Sequence, residues 1–408
     1  MQKHPTIGRD RPTTVSVTGV LTATMAFSML QLFVIGALGP RIVPDLGMST
    51  TALGSTTTMG FGTAALLSPL AGRAVDLLGP RRCLLALLLA VAVALGSIAA
   101  ATGYAVLLAA VALGGVPQAL ANPATNKAIL ATISPADRAG VTGAKQSGVQ
   151  LGAVAAGLPL TALAASAGWR AAVWAAVGVA LLVALWVWRT LPADPPRRQE
   201  AGSNPGSGDG QQRQGTDSVV RWLAGYSLFL GAAMASINTY LALFGERRLG
   251  LGAAAAGTLV AVLGVAGIAG RIGWARVAGN PRVAVVLPAG LAFGSGIAAL
   301  LLAASALVTG VVWVAVIAVG IFGMAGNAVS MVLVIQRSAP GRAGQDSALV
   351  SAGFFAGFAS GPLVFGIVVP SIGYSGSWLI VATEFGVAAT IAALWAVRAR
   401  AFSVGARV

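Results

Sequence analysis

The sequence has very few of the residues on which most enzyme active sites depend. It contains one histidine (His4) and one cysteine (Cys83) among 408 residues, which excludes disulfides, Cys/His metal sites and histidine-based triads. None of the three lysines, Lys3, Lys127 and Lys145, follows a glycine, so the chain lacks a Walker A loop for ATP. We therefore expect no enzymatic activity, no cofactor and no metal.

Charged residues are also scarce, whereas long apolar runs are frequent. Only 9% of the residues are charged and 57% are hydrophobic, compared with roughly 25% charged in soluble domains. Apolar runs of about 20 residues, the length that crosses a bilayer, recur along the whole chain. These runs predict an all-α integral membrane protein with twelve spans. The spans are 14–38, 50–71, 83–101, 104–126, 140–165, 171–190, 222–244, 252–270, 284–303, 308–335, 346–369 and 376–397.

The basic residues behind the net charge of +15 are distributed according to the membrane topology, so the charge does not indicate a nucleic-acid partner. All but four of the 26 lysines and arginines fall on one side of the predicted spans. The four exceptions are Arg41, Arg170, Arg247 and Arg248. By the positive-inside rule, this bias predicts that both termini are cytoplasmic. Arg271, Arg276 and Arg282 are assigned to the cytoplasmic loop that follows the eighth span.

A polar segment divides the chain into two blocks. Residues 191–221 are rich in Pro, Gly, Ser and Gln with mixed charges, which predicts a flexible cytoplasmic linker. It separates an N-terminal six-helix bundle, 1–190, from a C-terminal six-helix bundle, 222–408. The two blocks are weakly repeated, because Arg138 recurs as Arg342, 204 residues later. Parallel repeats of this kind favour an alternating-access transporter whose substrate binds between the halves near the midplane.

The loop between the second and third spans carries a compact charged motif. It contains Gly72, Asp76, Gly79, Arg81 and Arg82, which we call the latch. Asp76 is expected either to pair with arginines or to lie against the positive N-terminus of a neighbouring helix. The alternative is an ordinary positively charged loop. The motif resembles the Gly-x-x-x-Asp-x-x-Gly-x-Arg-Arg sequence of the major facilitator superfamily (MFS).

The resemblance extends over the whole chain and implies two six-helix bundles that rock about a central site. It implies that Asp76 docks on the start of the eleventh span, near residues 344–346, and gates one end. A degenerate copy begins at Gly270, but Trp274 stands where its acid would be, so no symmetric latch is expected. The arginine that drug–proton exporters usually carry in the fourth span is absent, which disfavours such an exporter without excluding it.

In this superfamily, spans 1, 4, 7 and 10 line the cavity, aided by spans 2, 5, 8 and 11. Polar side chains there are the candidate substrate-binding residues, because hydrocarbon tolerates polar groups only when they face protein or water. The candidates are Lys145, Gln146, Gln150, Gln118, Asn122, Asn126, Gln31, Asn238, Tyr240 and Asn327. Three of them, Gln118, Asn122 and Asn126, are spaced by four and share a helix face. Hydrogen bonding between helices is the alternative explanation for this stripe.

The signs of the charges within the spans indicate the class of solute. Lys145 lies about one and a half turns into the fifth span, either as an anion-binding cation or as a lysine that snorkels to the membrane edge. No acid lies mid-membrane in a predicted cavity span, which favours an anionic or neutral polar solute, an organic carboxylate being one candidate. Glu384, in the twelfth span, is a candidate for proton coupling. A protonated Glu384 bonded to a neighbouring helix is the preferred alternative.

These observations predict a monomeric secondary active transporter, a symporter or antiporter, for a small polar or anionic solute. Its other partners would be the lipid bilayer and protons or another coupling ion. A multidrug or metabolite exporter of the same fold is the alternative, and a non-transporting receptor or sensor a remote one. The excess of arginine over lysine, with abundant Ala, Gly and Val, indicates a GC-rich bacterial genome and therefore the bacterial plasma membrane.

Overall fold

The computed structural model describes residues 13–48, 50–194, 209–251 and 253–405, and all regular structure in these ranges is helical. Short π-helical segments, Ala156–Leu160 and Val319–Gly323, join α6 to α7 and α13 to α14. The helices are α1 Thr14–Asp45, α2 Thr50–Leu78, α3 Pro80–Ala99, α4 Tyr104–Leu113, α5 Gly115–Thr132, α6 Arg138–Ala155, α7 Thr161–Ala167, α8 Trp169–Thr190, α9 Asp209–Arg247, α10 Ala253–Val277, α11 Pro281–Ala284, α12 Leu287–Ala304, α13 Val311–Ala318, α14 Met324–Arg337 and α15 Ala343–Gly405.

The lengths and apolarity of these helices make the chain a multi-pass membrane protein. Ten helical segments of the described chain are long and apolar enough to cross a bilayer, and the last of them is 56 residues long. That segment lies in α15, which Gly373 interrupts with a φ of 68°, a left-handed conformation that suits glycine. The predicted spans eleven and twelve lie on either side of this break. Helix α2 has 29 residues but is less apolar than these ten segments. The count of twelve spans therefore stays a prediction.

Glycines allow neighbouring helices to pack at very short distances. A Cβ atom at Gly148 of α6 would collide with the backbone carbonyl of Thr22 in α1. In the same way, a Cβ at Gly357 of α15 would collide with the carbonyl of Leu228 in α9. Small residues at such contacts let helices associate through backbone packing, which membrane proteins use because lipid offers no hydrophobic driving force between helices. The α1–α6 pair therefore packs closely in the first half of the chain, and the α9–α15 pair does so in the second.

The C-terminal end of α10 differs from the predicted end of the eighth span, and the difference affects the site. The eighth span was predicted to end at residue 270, whereas α10 continues to Val277. Arg271 therefore lies within the helix bundle with only 6% of its surface exposed, and its assignment to a loop was wrong. A Cβ at Gly143 would crowd the carbonyl of Arg271 at 2.8 Å, so this glycine lets α6 pack closely on α10. The guanidinium can stay inside because it finds a backbone acceptor on α6.

Candidate functional site

A cavity of about 350 Å³ lies between the two halves of the chain. Helices α1, α2, α5 and α6 line one side, and α9, α10, α14 and α15 line the other, together with Gly323 of the second π segment. Most of the wall is apolar and consists of methionine, phenylalanine and aliphatic side chains. Six of the ten predicted binding residues lie in this wall. They are Gln118, Asn122, Gln146, Gln150, Asn238 and Asn327.

Arg271 is the one charged residue among the described residues of the cavity wall. Its Nη1 donates a hydrogen bond of 2.6 Å to the backbone carbonyl of Gln146 on α6. Its Nε has no hydrogen-bond partner in the described part of the chain, and no described carboxylate forms an ion pair with the guanidinium. Burying a charge without a counter-charge costs roughly several kcal/mol of folding free energy. The guanidinium of Arg271 therefore has N–H groups beside the cavity that are available to bind a ligand.

Lys145 is fully buried and lies next to Asn122 of the cavity wall. Its Nζ donates hydrogen bonds to Thr125 Oγ1 at 2.6 Å and to Asn122 Oδ1 at 3.3 Å, both neutral acceptors. The same Asn122 oxygen accepts a hydrogen bond of 2.8 Å from Gln146 Nε2. Lys145 therefore does not reach the surface of the described chain, and it connects to the cavity wall through Asn122 and Gln146.

Several buried amide groups in the cavity wall have no partner among the described residues. Gln118 is 0% exposed, and neither its amide nitrogen nor its amide oxygen is hydrogen-bonded. The side-chain oxygens of Gln146, Gln150 and Asn327 are also unpaired. Buried polar groups in proteins are nearly always satisfied, by protein, water or ligand. A polar ligand or ordered water in this cavity would supply the missing partners.

Four predicted binding residues lie outside the cavity wall: Lys145, Asn126, Gln31 and Tyr240. Asn126 donates a hydrogen bond of 2.8 Å to Ser347 of α15, which corresponds to the helix–helix alternative. The side chain of Gln31 packs against Gly114, and the Tyr240 hydroxyl donates to a backbone carbonyl of α15 at 3.1 Å. The amide stripe of α5 is therefore divided, with Gln118 and Asn122 in the cavity wall and Asn126 between helices.

The latch carboxylate connects the two halves of the chain. Asp76 Oδ1 accepts a hydrogen bond from the backbone N–H of Gly344 at 3.0 Å, and Oδ2 accepts one from Gln345 at 2.9 Å. Lys127 Nζ lies 3.1 Å from Oδ1. Asp76 thus lies against the positive N-terminus of α15, and its cationic partner is a lysine of α5 instead of an arginine. We call this end of the bundle the latch end.

Gly72 of the latch packs against the start of α15, whereas Gly79, Arg81 and Arg82 contact a side chain that the sequence did not single out. Asp194 accepts hydrogen bonds from the backbone N–H groups of Arg81, at 3.1 Å, and Arg82, at 2.8 Å. A Cβ at Gly79 would fall within 3 Å of Asp194, so glycine is needed for this approach. Asp194 follows α8 by four residues and satisfies the free N–H groups at the start of α3. No local pattern predicts this contact, because its partners are 112 and 113 residues apart.

Two further features lie outside the set of predicted substrate-binding residues. Glu384, in the second part of α15, is half-buried with one oxygen unpartnered among the described residues, and it does not line the cavity. A cluster of phenylalanines, by contrast, lines the cavity and was not predicted. Phe61 of α2 packs on Phe355 and Phe358 of α15, with ring centroids 6.0 and 4.9 Å apart. A search restricted to polar side chains could not find this cluster.

Comparisons with solved structures identify close likenesses of fold. The human organic anion transporter MFSD10 (TETRAN) aligns with a TM-score of 0.77 at 18% identity, over 93% of this chain and 100% of that one. The proton:xylose symporter XylE aligns with a TM-score of 0.75 at 16% identity, over 93% and 98%. The E. coli fucose:proton symporter FucP aligns with 0.69 at 15%, over 91% and 98%. At these identities the likeness shows the fold alone.

Comparisons of sequence give the family. A search of the curated proteins finds no match. The sequence model described as Major Facilitator Superfamily matches residues 20–346, which is most of the chain. This match agrees with the helical membrane fold, the central cavity and the transporters that the fold resembles. The chain belongs to the Major Facilitator Superfamily of membrane transporters.

Proposed function

We propose that the chain is a secondary active transporter that moves a small organic anion by alternating access between two six-helix bundles, 1–190 and 222–408. The observation that carries this proposal is Arg271, a buried cation in the cavity wall without a carboxylate partner among the described residues. An anion in the cavity would provide the missing counter-charge. Arg271 would make direct contact with it.

The electrostatics of the cavity support an anion over a cation. The described wall contains no Asp or Glu, and its one charged residue is the cation Arg271. In a site of low dielectric constant such a charge acts over longer distances than in water. A cationic solute would meet a like charge and no compensating acid. Lys145 is proposed to orient Asn122, to which its Nζ donates a hydrogen bond, with no contact to the anion in this conformation.

The hydrogen bonds between the two halves support an assignment of the conformational state. Those of Asp76 with the start of α15 and of Asn126 with Ser347 lie at the latch end, and those of Asn122 with Ser351 and of Arg271 with Gln146 lie beside the cavity. With both termini in the cytoplasm, as the arginine distribution predicts, the latch end is cytoplasmic and closed. The state would then be outward-facing, in the plasma membrane of a bacterium. Opening the latch would release the anion to the other side.

A binding experiment tests the charge assignment. Purified protein in detergent would be screened by thermal shift with benzoate, succinate, glucose and tetraphenylphosphonium, since a ligand of the folded state raises the melting temperature. We expect stabilisation by a carboxylate, lost in Arg271→Gln and reduced in Lys145→Gln. Arg276→Gln is the matched control, because Arg276 lies on the same helix but is exposed. Removing a charged hydrogen-bond donor should weaken binding by about 10- to 100-fold.

The exporter alternative has one observation in its favour, the largely apolar cavity wall. Stabilisation by tetraphenylphosphonium, unaffected by Arg271→Gln, would overturn the anion proposal and establish the exporter. Proton coupling is tested separately, by measuring transport into liposomes as a function of pH. A Glu384→Gln variant that keeps the pH dependence of the wild type excludes Glu384 as the coupling residue, which is the result expected from its place outside the cavity wall.

A further inference from the structure

The cavity has two chemically different ends, and we infer from them that the transported anion is a monocarboxylate with an aromatic body, such as an arylalkanoate. This inference rests on the proposed function and specifies its substrate class. The polar end contains Arg271, Asn122 and Gln146. The other end is formed by the phenylalanine cluster of Phe61 and Phe358 with their neighbours on α15.

The charge count of the wall favours a single carboxylate. Arg271 is the one formal charge in the described cavity wall, so one negative charge neutralises it. The guanidinium can bind a carboxylate through N–H groups that Gln146 leaves unused, and the unpaired amide of Gln118 can donate to it as well. A second carboxylate on the solute would meet no second cation in the described wall, and an unpaired charge in a largely apolar cavity is strongly disfavoured.

The phenylalanine cluster supplies flat surfaces that come from both halves of the chain. Phe61 belongs to α2 in the first half, whereas Phe354, Phe355 and Phe358 belong to α15 in the second. The Phe354 and Phe358 ring centroids are 4.6 Å apart, within the range of favourable aromatic pairs. Methionines also line this cavity, among them Met29, and their flexible thioethers adapt to an aromatic ring. An aromatic solute would therefore contact both halves at once.

The spacing along α15 sets the length of the solute. Ser351 accepts a hydrogen bond of 3.0 Å from Asn122, which places it at the polar end of the cavity. Phe358 follows Ser351 by two turns of the helix, which is about 10 Å at a rise of 1.5 Å per residue. An arylalkanoate with a short alkyl chain bridges such a distance, with its carboxylate near Arg271 and its ring near Phe358. A short acid such as propionate reaches only the polar end.

Calorimetric titration of the purified protein with 3-phenylpropionate, propionate and succinate tests this inference. We expect 3-phenylpropionate to bind at least tenfold more tightly than propionate, and succinate no more tightly than propionate. Phe358→Leu should remove most of the gain from the ring, roughly tenfold, and leave propionate unchanged. Phe293→Leu is the matched control, because Phe293 is 65% exposed on the outer surface of α12. Phe61→Leu repeats the test from the other half if Phe358→Leu does not fold.

The outcomes separate this inference from the proposed function. If succinate binds more tightly than 3-phenylpropionate and its binding depends on Arg271, the anion proposal stands and the aromatic inference is overturned. Equal loss of 3-phenylpropionate binding in Phe358→Leu and Phe293→Leu would overturn it as well, because the effect would not be specific to the cavity. If none of the three acids binds, both the anion proposal and the aromatic inference fail.

Discussion

Removing the charge of Asp76 should open the latch end of the bundle. Asp76→Asn keeps the shape of the side chain but replaces one acceptor oxygen with an N–H₂ group that faces a backbone N–H of Gly344 or Gln345. One charge-assisted hydrogen bond is lost, and the other becomes a neutral one. The ion pair with Lys127 disappears too, and its partners are largely shielded, with Asp76 8% and Lys127 23% exposed.

The size of the effect follows from these contacts. A hydrogen bond to a charged group contributes about 1.5–3 kcal/mol, and an anion at a helix N-terminus about 0.3–1 kcal/mol. The substitution should therefore shift the equilibrium between closed and open latch ends by about 2–4 kcal/mol, or about 30- to 700-fold. A closed state favoured by less than this would become the minor state.

Hydrogen–deuterium exchange measured by mass spectrometry can detect this opening. The amides of Gly344 and Gln345 will exchange faster simply because they lose their acceptor, so the informative peptides are those covering residues 347–352 and 122–130. These amides lie within helices and are shielded by contact between the halves, and we expect their exchange to accelerate in Asp76→Asn. Asp137→Asn is the control, since Asp137 is an exposed acid that bonds Ser134 locally. Unchanged exchange in both peptides would refute the role of Asp76 as a latch.

Two further predictions concern stability. Gly148→Ala should destabilise the protein by about 1–3 kcal/mol, as overpacking does, because the added Cβ would meet a backbone oxygen of α1. The control is Gly157→Ala, which should leave the thermal midpoint unchanged because Gly157 faces open space. Equal midpoints in the two variants would contradict the packing argument. At the end of α1, the hydrogen bond from Arg170 lowers the pKa of Asp45 below its ordinary value of 3.8. The contribution of this contact is therefore present above pH 3.8 and lost as the pH falls through the lowered pKa. The difference in thermal midpoint between wild type and Asp45→Asn should disappear in that acidic range, and a constant difference across it would show that Asp45 does not titrate there.

The sequence was sufficient for the class of fold because the relevant signals are local. Apolar runs of bilayer length and the loop motif around Asp76 led to an all-helical membrane protein of the major facilitator superfamily, and that prediction is confirmed. The error at Arg271 has a local cause as well. An arginine ends an apolar run in any hydropathy profile, whereas α10 continues past it because Gly143 allows α6 to approach and a backbone carbonyl accepts its hydrogen bond.

Other properties depend on residues that are far apart in the chain, and only the tertiary structure decided them. Helical spacing places Asn122 and Asn126 on one face, but only the way the halves meet decides that Asn122 lines the cavity and also bonds Ser351, whereas Asn126 bonds Ser347 outside the wall. The same holds for Phe61, whose aromatic partners lie almost 300 residues later in the sequence. Charge and apolar length thus determined from the sequence that the chain crosses a membrane. The wall of the cavity required the packed structure, because it is assembled from contacts between helices that no local pattern encodes.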